Sequence, residues 1–273
     1  MKEQDRLYLI LFVVPILVFF AAFFLLPMAR LVAIGASGPG GAATYVASLT
    51  APRHLRALGS SLVLSVVVTI VTLVGAGVAG VFLQRHGFPG RSVLVAMLTF
   101  PLAFPGVVVG FMVIMLAGRQ GLIGEVWARA TGNRLVFAYS MAGLFTGYLY
   151  FSIPRVILTI MASAEKLDGS LEEAARSLGA GPWAVLRDVL IPGLRPALVS
   201  AGAICFATSM GAFGTAFTLA TEIEVLPMTI YTEFTLRANI AVAAALSIIL
   251  GVITWAGLAV ARTAAGSTVA AAA

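Results

Sequence analysis

Six long apolar runs without a charged side chain constrain this sequence more than any other feature; they cover residues 7–29, 62–83, 92–118, 136–154, 197–221 and 238–261. Each run is close to the roughly 20 residues that an α-helix needs to cross the hydrocarbon core of a bilayer. Open strands would leave backbone groups unsatisfied in lipid, and the runs lack the alternation of barrel strands. The sequence therefore predicts an all-α membrane protein with six transmembrane helices.

Composition supports the same class. Of the 273 residues, 60% are hydrophobic and only 10% are charged, whereas soluble domains carry about 25% charged residues. The net charge of +6 does not indicate nucleic-acid binding, because the basic residues are scattered through the short segments between the runs. The first run is longer than the roughly 7 to 15 apolar residues of a signal peptide, so we expect it to be retained as the first helix.

The distribution of lysine and arginine gives the expected orientation. With the N-terminus in the cytoplasm, nine basic residues lie on the inner side and seven on the outer side, which favours this orientation under the positive-inside rule. Arg155 follows the fourth run and belongs to neither group. Because the apolar pattern continues to about residue 164, we expect this helix to extend beyond the bilayer. Arg155 is then expected to snorkel to the inner interface rather than to act in an ion relay.

One charged segment, residues 165–196, separates the fourth and fifth runs. Ser170 and Glu173 fit the S-x-x-E capping box that starts a helix. Gly179 fits the position just after a helix end, and a Gly-Pro pair follows at 181–182. Positions 171, 174, 175 and 178 form an apolar stripe with small residues in its middle. A helix lying on lipid would favour larger apolar side chains, so this stripe predicts docking to a protein partner.

The stretch E-A-A-R-S-L-G-A-G-P-W-A-V-L-R-D-V-L-I-P resembles the EAA motif of the integral-membrane permease subunits of bacterial ABC importers. In that motif Glu-Ala-Ala is followed by three residues, Gly, nine residues and Ile-x-Leu-Pro. Glu173, Gly179 and Pro192 fall at the required spacing, while Val189 and Ile191 replace the usual Ile and Leu. The resemblance implies a type I ABC importer permease fold, in one transmembrane domain over 1–273 with a core at 60–262.

The same resemblance implies that the loop at 165–196 is a cytoplasmic coupling helix between transmembrane helices 4 and 5, seated in a groove of an ATPase. The implied coupling residues are Leu171, Glu172, Glu173, Ala174, Ala175, Arg176, Leu178, Gly179, Ala180 and Gly181.

ATP must then be bound by another chain. The only lysines are Lys2 and Lys166, and neither follows a glycine, so no G-x-x-x-x-G-K-[ST] phosphate loop can be written. The resemblance thus implies a chain that is not itself an enzyme and has no cofactor or metal of its own. Its implied partners are a cytoplasmic ABC ATPase dimer, a second permease subunit (identical or different), a periplasmic substrate-binding protein and the lipid bilayer. Its implied location is the bacterial inner membrane, which it crosses several times.

The substrate is less constrained. The charged segment and residues 206–220 most resemble the spermidine/putrescine-type permeases, with sulfate, molybdate, ferric-iron and phosphonate permeases similar. Sulfate and molybdate members often have G-E-F-G where this chain has G-A-F-G at 211–214, which weighs against them. A polyamine is expected to meet carboxylates or aromatic faces, yet no run contains a carboxylate. Glu222, Glu224 and Glu233 follow the fifth run, and we expect them to be solvated or to dock the binding protein.

Glycine and proline are concentrated at 100–111 and 208–217. Such residues allow close helix packing, and they can also free carbonyl groups that line a cavity. Both interpretations stay open. Pro105, Ser209 and Phe213 are the candidate pathway-lining residues.

Two other classes of protein fit the sequence less well. A secondary transporter or channel should show ionisable groups within its spans, and the six runs contain none. An intramembrane enzyme would need a nucleophile with its base, or metal ligands, and no H-E-x-x-H motif is present. The sequence therefore predicts a permease subunit of an ATP-driven importer.

Overall fold

The computed structural model describes residues 3–219 and 223–265, and this described part contains helices and no strand. In chain order the α-helices are α1 (Glu3–Phe20), α2 (Leu26–Gly35), α3 (Ala43–Thr50), α4 (Pro52–Arg85), α5 (Arg91–Thr99), α6 (Gly106–Ala117), α7 (Leu122–Thr131), α8 (Met141–Glu165), α9 (Ser170–Ser177), α10 (Pro182–Val185), α11 (Ile191–Met210), α12 (Phe213–Leu219), α13 (Leu226–Tyr231) and α14 (Ile240–Ala265). Short π-helical segments occur at Ala21–Leu25, Leu186–Leu190 and Thr232–Leu236, and a 3₁₀ segment at Phe100–Ala103.

Within the described residues, six helical segments are long and apolar enough to cross a membrane, which confirms the predicted number. They cover Ile10–Gly35, Pro52–Arg85, Gly106–Thr131, Met141–Glu165, Pro182–Met210 and Ile240–Thr263. α8 continues through Pro154 to Glu165, as the apolar pattern predicts.

Two of the predicted helices are interrupted. The run at 92–118 divides into α5 and α6, with extended backbone at Phe104 and Pro105 between them. Proline has no N–H to donate and disfavours helical backbone at the residue before it, so the helix breaks there. The run at 197–221 divides at Gly211 and Ala212, between α11 and α12. Both breaks fall at the places where glycine and proline are concentrated in the sequence.

The chain divides into two compact units, one comprising residues 56–228 and 252–273 and the other residues 1–55 and 229–251. In the first unit, the buried core is drawn from α4, α6, α8, α11 and α12. α6 packs against α12, and α8 packs against α11. Leu144, Tyr148 and Ile160 of α8 are among the largest fully buried side chains. α8 is therefore held by tight packing. The predicted single domain over 1–273 stays a prediction.

The second unit contains a buried carboxylate where a solvated one was expected. Glu233 is 2% exposed, and its Oε1 accepts a hydrogen bond of 2.9 Å from Arg237. Nε2 of His54 and Nη1 of Arg53 lie 3.7 and 4.0 Å from the same oxygen. The expectation of a solvated Glu233 is wrong, because the arginines beside it compensate its burial. Glu224 is exposed, and Glu222 lies outside the described residues.

Candidate functional site

The charged segment forms a short helix, α9, at the predicted place, but a different residue caps its start. Ser170 is the first helical residue, and its N–H donates a hydrogen bond of 2.9 Å to Oδ1 of Asp168. This hydrogen bond also lowers the pKa of the Asp168 carboxyl. The predicted capping box of Ser170 and Glu173 is therefore wrong: the carboxylate two residues earlier satisfies the first N–H group.

The end of α9 is formed as predicted. Gly179 has φ of +87°, a left-handed conformation that glycine adopts without steric cost. The N–H of Gly179 donates to the carbonyl of Arg176 at 2.9 Å, and the N–H of Ala180 donates to the carbonyl of Ala175 at 3.0 Å. This pair of bonds is a Schellman motif, which satisfies carbonyl groups at the helix end. Both ends of α9 are thus fixed by local contacts.

Between these ends, α9 presents apolar side chains to solvent. Leu171 is 55% exposed and Leu178 is 90% exposed, and Ala174 between them is also exposed. Trp183, at the start of α10, is 71% exposed. We call Leu171, Ala174 and Leu178 the exposed apolar face, whereas Trp183 lines a separate cavity with residues of α4 and α8. Large apolar side chains clustered on a capped, polar segment are typical of a protein–protein contact.

The opposite side of α9 is tied to the end of α4 by a buried ion pair. Glu172 is 6% exposed, and its Oε1 lies 2.8 Å from Nη2 of Arg85. The same Arg85 nitrogen donates a hydrogen bond of 3.2 Å to the carbonyl of Leu167. Arg176 lies 3.4 Å from the other oxygen of Glu172. These contacts therefore join α9 to the end of α4.

Sequence reasoning missed this pair. Arg85 and Glu172 are far apart in the chain, and no local pattern joins them. The available signal was that Glu172 lies off the apolar stripe and that Arg85 is the first charge after the second run.

The two helix breaks come together in the core of the first unit. The hydroxyl of Tyr148 donates a hydrogen bond of 2.7 Å to the carbonyl of Ala212, at the break before α12. The hydroxyl of Thr215 donates 3.0 Å to the carbonyl of Gly106, at the start of α6. A Cβ atom at Gly147 would lie 2.6 Å from Thr215 Cγ2, so α8 and α12 approach closely. Side chains thus satisfy carbonyl groups at both interruptions, as buried backbone requires.

A cavity of about 270 Å³ lies at these breaks. Its lining residues come from the third, fourth and fifth predicted spans: Pro101, Leu102, Phe104, Gly106, Phe151, Arg155, Ala212, Gly214 and Thr215. Arg155 is half-buried and precedes the end of α8 by ten residues, about 15 Å at 1.5 Å per residue. Arg155 thus lines this cavity, and its expected position at the inner interface stays a prediction.

The candidate pathway residues lie around this cavity. Pro105 and Phe213 each fall between two lining residues. Ser209 is buried one turn before the second break, and its Oγ has no hydrogen-bond partner among the described residues. Pro105 and Phe213 thus adjoin the cavity in sequence, and Ser209 precedes the second break on α11. Their pathway-lining role stays a prediction.

Comparisons with known proteins agree on a family. Residues 72–265 match the family described as binding-protein-dependent transport system inner membrane component. Sulfate permease 2 of the Chlamydomonas reinhardtii chloroplast is 36% identical over 60% of this chain and 43% of its own length. The molybdenum permease ModB and the sulfate permease CysT of Escherichia coli K12 are each 35% identical, over 55% and 56% of this chain. These two matches span 66% and 58% of those proteins, so the chain covers less than two thirds of each relative.

Solved structures share the fold. A bacterial alginate ABC transporter, crystallised with its alginate-bound periplasmic protein, has a chain that matches with a TM-score of 0.80 at 16% identity, over 97% of this chain and 96% of that one. A chain of the MetNI methionine ABC transporter matches with a TM-score of 0.55 at 19% identity, over 77% and 95%. The fold is therefore that of type I ABC importer permeases, as the resemblance implies. The preference for polyamine-type permeases is not supported, because the relatives are named for sulfate and molybdate.

Proposed function

Because this chain belongs to the family of binding-protein-dependent transport system inner membrane components, we propose that it is the permease subunit of an ATP-driven importer. The observation that carries the proposal is the exposed apolar face on α9. It is held by caps at both ends and by the buried Glu172–Arg85 pair, yet nothing in the described chain covers it. Such a face is suited to a groove on a cytoplasmic ATPase.

In this proposal α9 is the coupling helix, and the ATPase dimer binds ATP. A second permease subunit completes the pathway, and a periplasmic protein delivers the solute. The chain lies in the bacterial inner membrane as one transmembrane domain, with its N-terminus in the cytoplasm. This orientation puts α9 and the Arg85 end of α4 on the ATPase side.

We propose an oxyanion of the sulfate or molybdate type as the solute. The names of the relatives support this class. The absence of a carboxylate from the six runs also favours an anion over a polycation, since a cation would need compensating negative charge. One feature weighs against this class of solute: position 212 is alanine, whereas sulfate and molybdate permeases often have glutamate there.

The coupling role can be tested at Gly179. Its left-handed backbone and its place beside the exposed apolar face mean that Gly179→Asp should both strain the helix end and place a charge in the ATPase groove. In the reconstituted complex, we expect stimulation of ATP hydrolysis by the loaded binding protein to fall at least about tenfold. A loss of this size is typical when a buried apolar contact is removed from an interface. Insertion into the membrane should be retained, because no heavy atom lies within 4 Å of an added Cβ.

Gly132→Asp is the matched control. Gly132 also ends a helix, has φ of +78° and has open space around it, but it lies after α7. Stimulation should stay near the wild-type level in this variant. Equal stimulation in the Gly179 variant and the control would count against a coupling role for α9.

A further inference from the structure

Arg155 places a positive charge inside the membrane-crossing part of the fold. α8 runs from Met141 to Glu165, so its midpoint is Ile153, and Arg155 lies only two residues beyond it. The side chain lines the cavity at the two helix breaks.

This charge has no acidic partner in the described chain. No carboxylate lines the cavity, and no ion pair within 4.0 Å joins Arg155 to a described aspartate or glutamate. Charged side chains inside a membrane are costly and normally pair with one another, or else mark an ion pathway. The cavity therefore has a standing positive charge that a diffusible anion can neutralise.

The rest of the cavity suits a small anion. The first N–H groups of α6 have no intrahelical partner, so the helix start at Gly106 adds positive potential to the wall that it forms. The hydroxyl of Thr215 donates its hydrogen to the Gly106 carbonyl, so it is not a donor for an ion in the cavity. A volume of about 270 Å³ lies below the usual range for drug-sized ligands, about 300 to 1,000 Å³.

We propose that this cavity is a transient binding site for the transported oxyanion, with the guanidinium of Arg155 as its counter-ion. The inference rests on the proposed function, in which the solute is a sulfate- or molybdate-type anion. A planar guanidinium can donate two parallel hydrogen bonds to two oxygens of such an ion. A transported ion must also be able to leave its site. This site fits that requirement, because it offers one full positive charge and does not surround the ion with hydrogen-bond donors.

The first test measures uptake of radiolabelled sulfate and molybdate by the complete complex in liposomes. Arg155→Gln should lower uptake of the transported anion by about 10- to 100-fold, the loss expected for a charge-assisted hydrogen bond. Arg155→Lys should retain a substantial part of it, because the charge is kept. Arg262→Gln is the matched control, since it removes an exposed arginine of the same unit that does not line the cavity.

A second test restores the charge chemically. In a Cys205→Ala background, which removes the only native cysteine, Arg155→Cys should show low uptake. Reaction with 2-aminoethyl methanethiosulfonate adds an ammonium group and should recover uptake, whereas methyl methanethiosulfonate adds only a methylthio group and should not. Equal uptake after both reagents would overturn the proposal, because charge would then not matter at this position.

The outcomes separate this site from the proposed function. If the wild-type complex takes up neither anion, the proposed function is wrong, and the proposed site is wrong with it. Normal wild-type uptake with undiminished uptake in Arg155→Gln overturns the site alone. If Arg155→Gln, Arg155→Cys and Arg155→Lys all fail to assemble with the ATPase, Arg155 has a structural role and the proposal is wrong.

Discussion

Replacing Leu178 with arginine is expected to abolish binding of the ATPase while leaving the membrane fold intact. Leu178 is 90% exposed, so the folded chain loses almost no packing when this side chain changes. In the proposed complex the same side chain is buried at the centre of an interface, where an unpaired charge is strongly unfavourable. We expect the affinity for the ATPase to fall by about 100-fold, the loss typical of a central interface residue.

The measurement is copurification of the ATPase with the permease, followed by titration of the detergent-solubilised subunits. Leu236→Arg is the control, because Leu236 is 73% exposed but lies outside both the charged segment and the six membrane-crossing segments. It should bind the ATPase as the wild type does. Undiminished binding by the Leu178 variant would show that the exposed apolar face is not the ATPase contact.

Reversing the charge of Arg85 is expected to uncouple the transporter without releasing the ATPase. Glu172 would then face a second carboxylate in a site where its side chain is 8% exposed. Breaking a buried pair from one side costs about 3 to 5 kcal/mol where no partner remains, and here Glu172 keeps only the more distant and exposed Arg176. Because this pair joins α9 to α4, we expect that in Arg85→Glu a movement of α9 no longer moves the membrane helices.

Three measurements distinguish this result from a loss of docking. The ATPase should still copurify, because the exposed apolar face is unchanged, while uptake and stimulation by the loaded binding protein should fall at least about tenfold. The exchanged pair Arg85→Glu with Glu172→Arg should recover part of both activities. Arg129→Glu, at the exposed Arg129–Glu125 pair, should change little, because surface pairs contribute at most about 1 kcal/mol. No recovery in the exchanged pair would mean that the Arg85–Glu172 contact is not the coupling link.

Local features of the sequence account for much of this fold. Apolar runs of the right length predict the six membrane-crossing segments, and the glycine at 179 predicts the end of α9, because both depend on near neighbours in the chain. The start of α9 is ambiguous in the sequence Asp168-Gly-Ser170, since either polar side chain can cap a helix. In the structure the N–H of Ser170 donates to the carboxylate of Asp168, so Asp168 is the residue that contacts the helix start.

Features that depend on tertiary contacts could not be read in the same way. Pro105 and Gly211 signalled possible breaks, but only the folded core shows that the breaks meet and are satisfied by Thr215 and Tyr148. Arg155 directly follows the fourth apolar run, and the sequence does not show which residues it faces. In the structure, a cavity inside the bundle accommodates it.

The central claim is that ATP, bound by a separate chain, drives transport through this permease. It is tested most directly by uptake of labelled sulfate and molybdate into liposomes that contain the permease, its ATPase and its partner subunit, with the loaded binding protein outside. The account predicts uptake that requires ATP, persists without a proton gradient and disappears in Leu178→Arg. Uptake that continues without ATP and follows an imposed proton gradient would contradict it and indicate a secondary transporter.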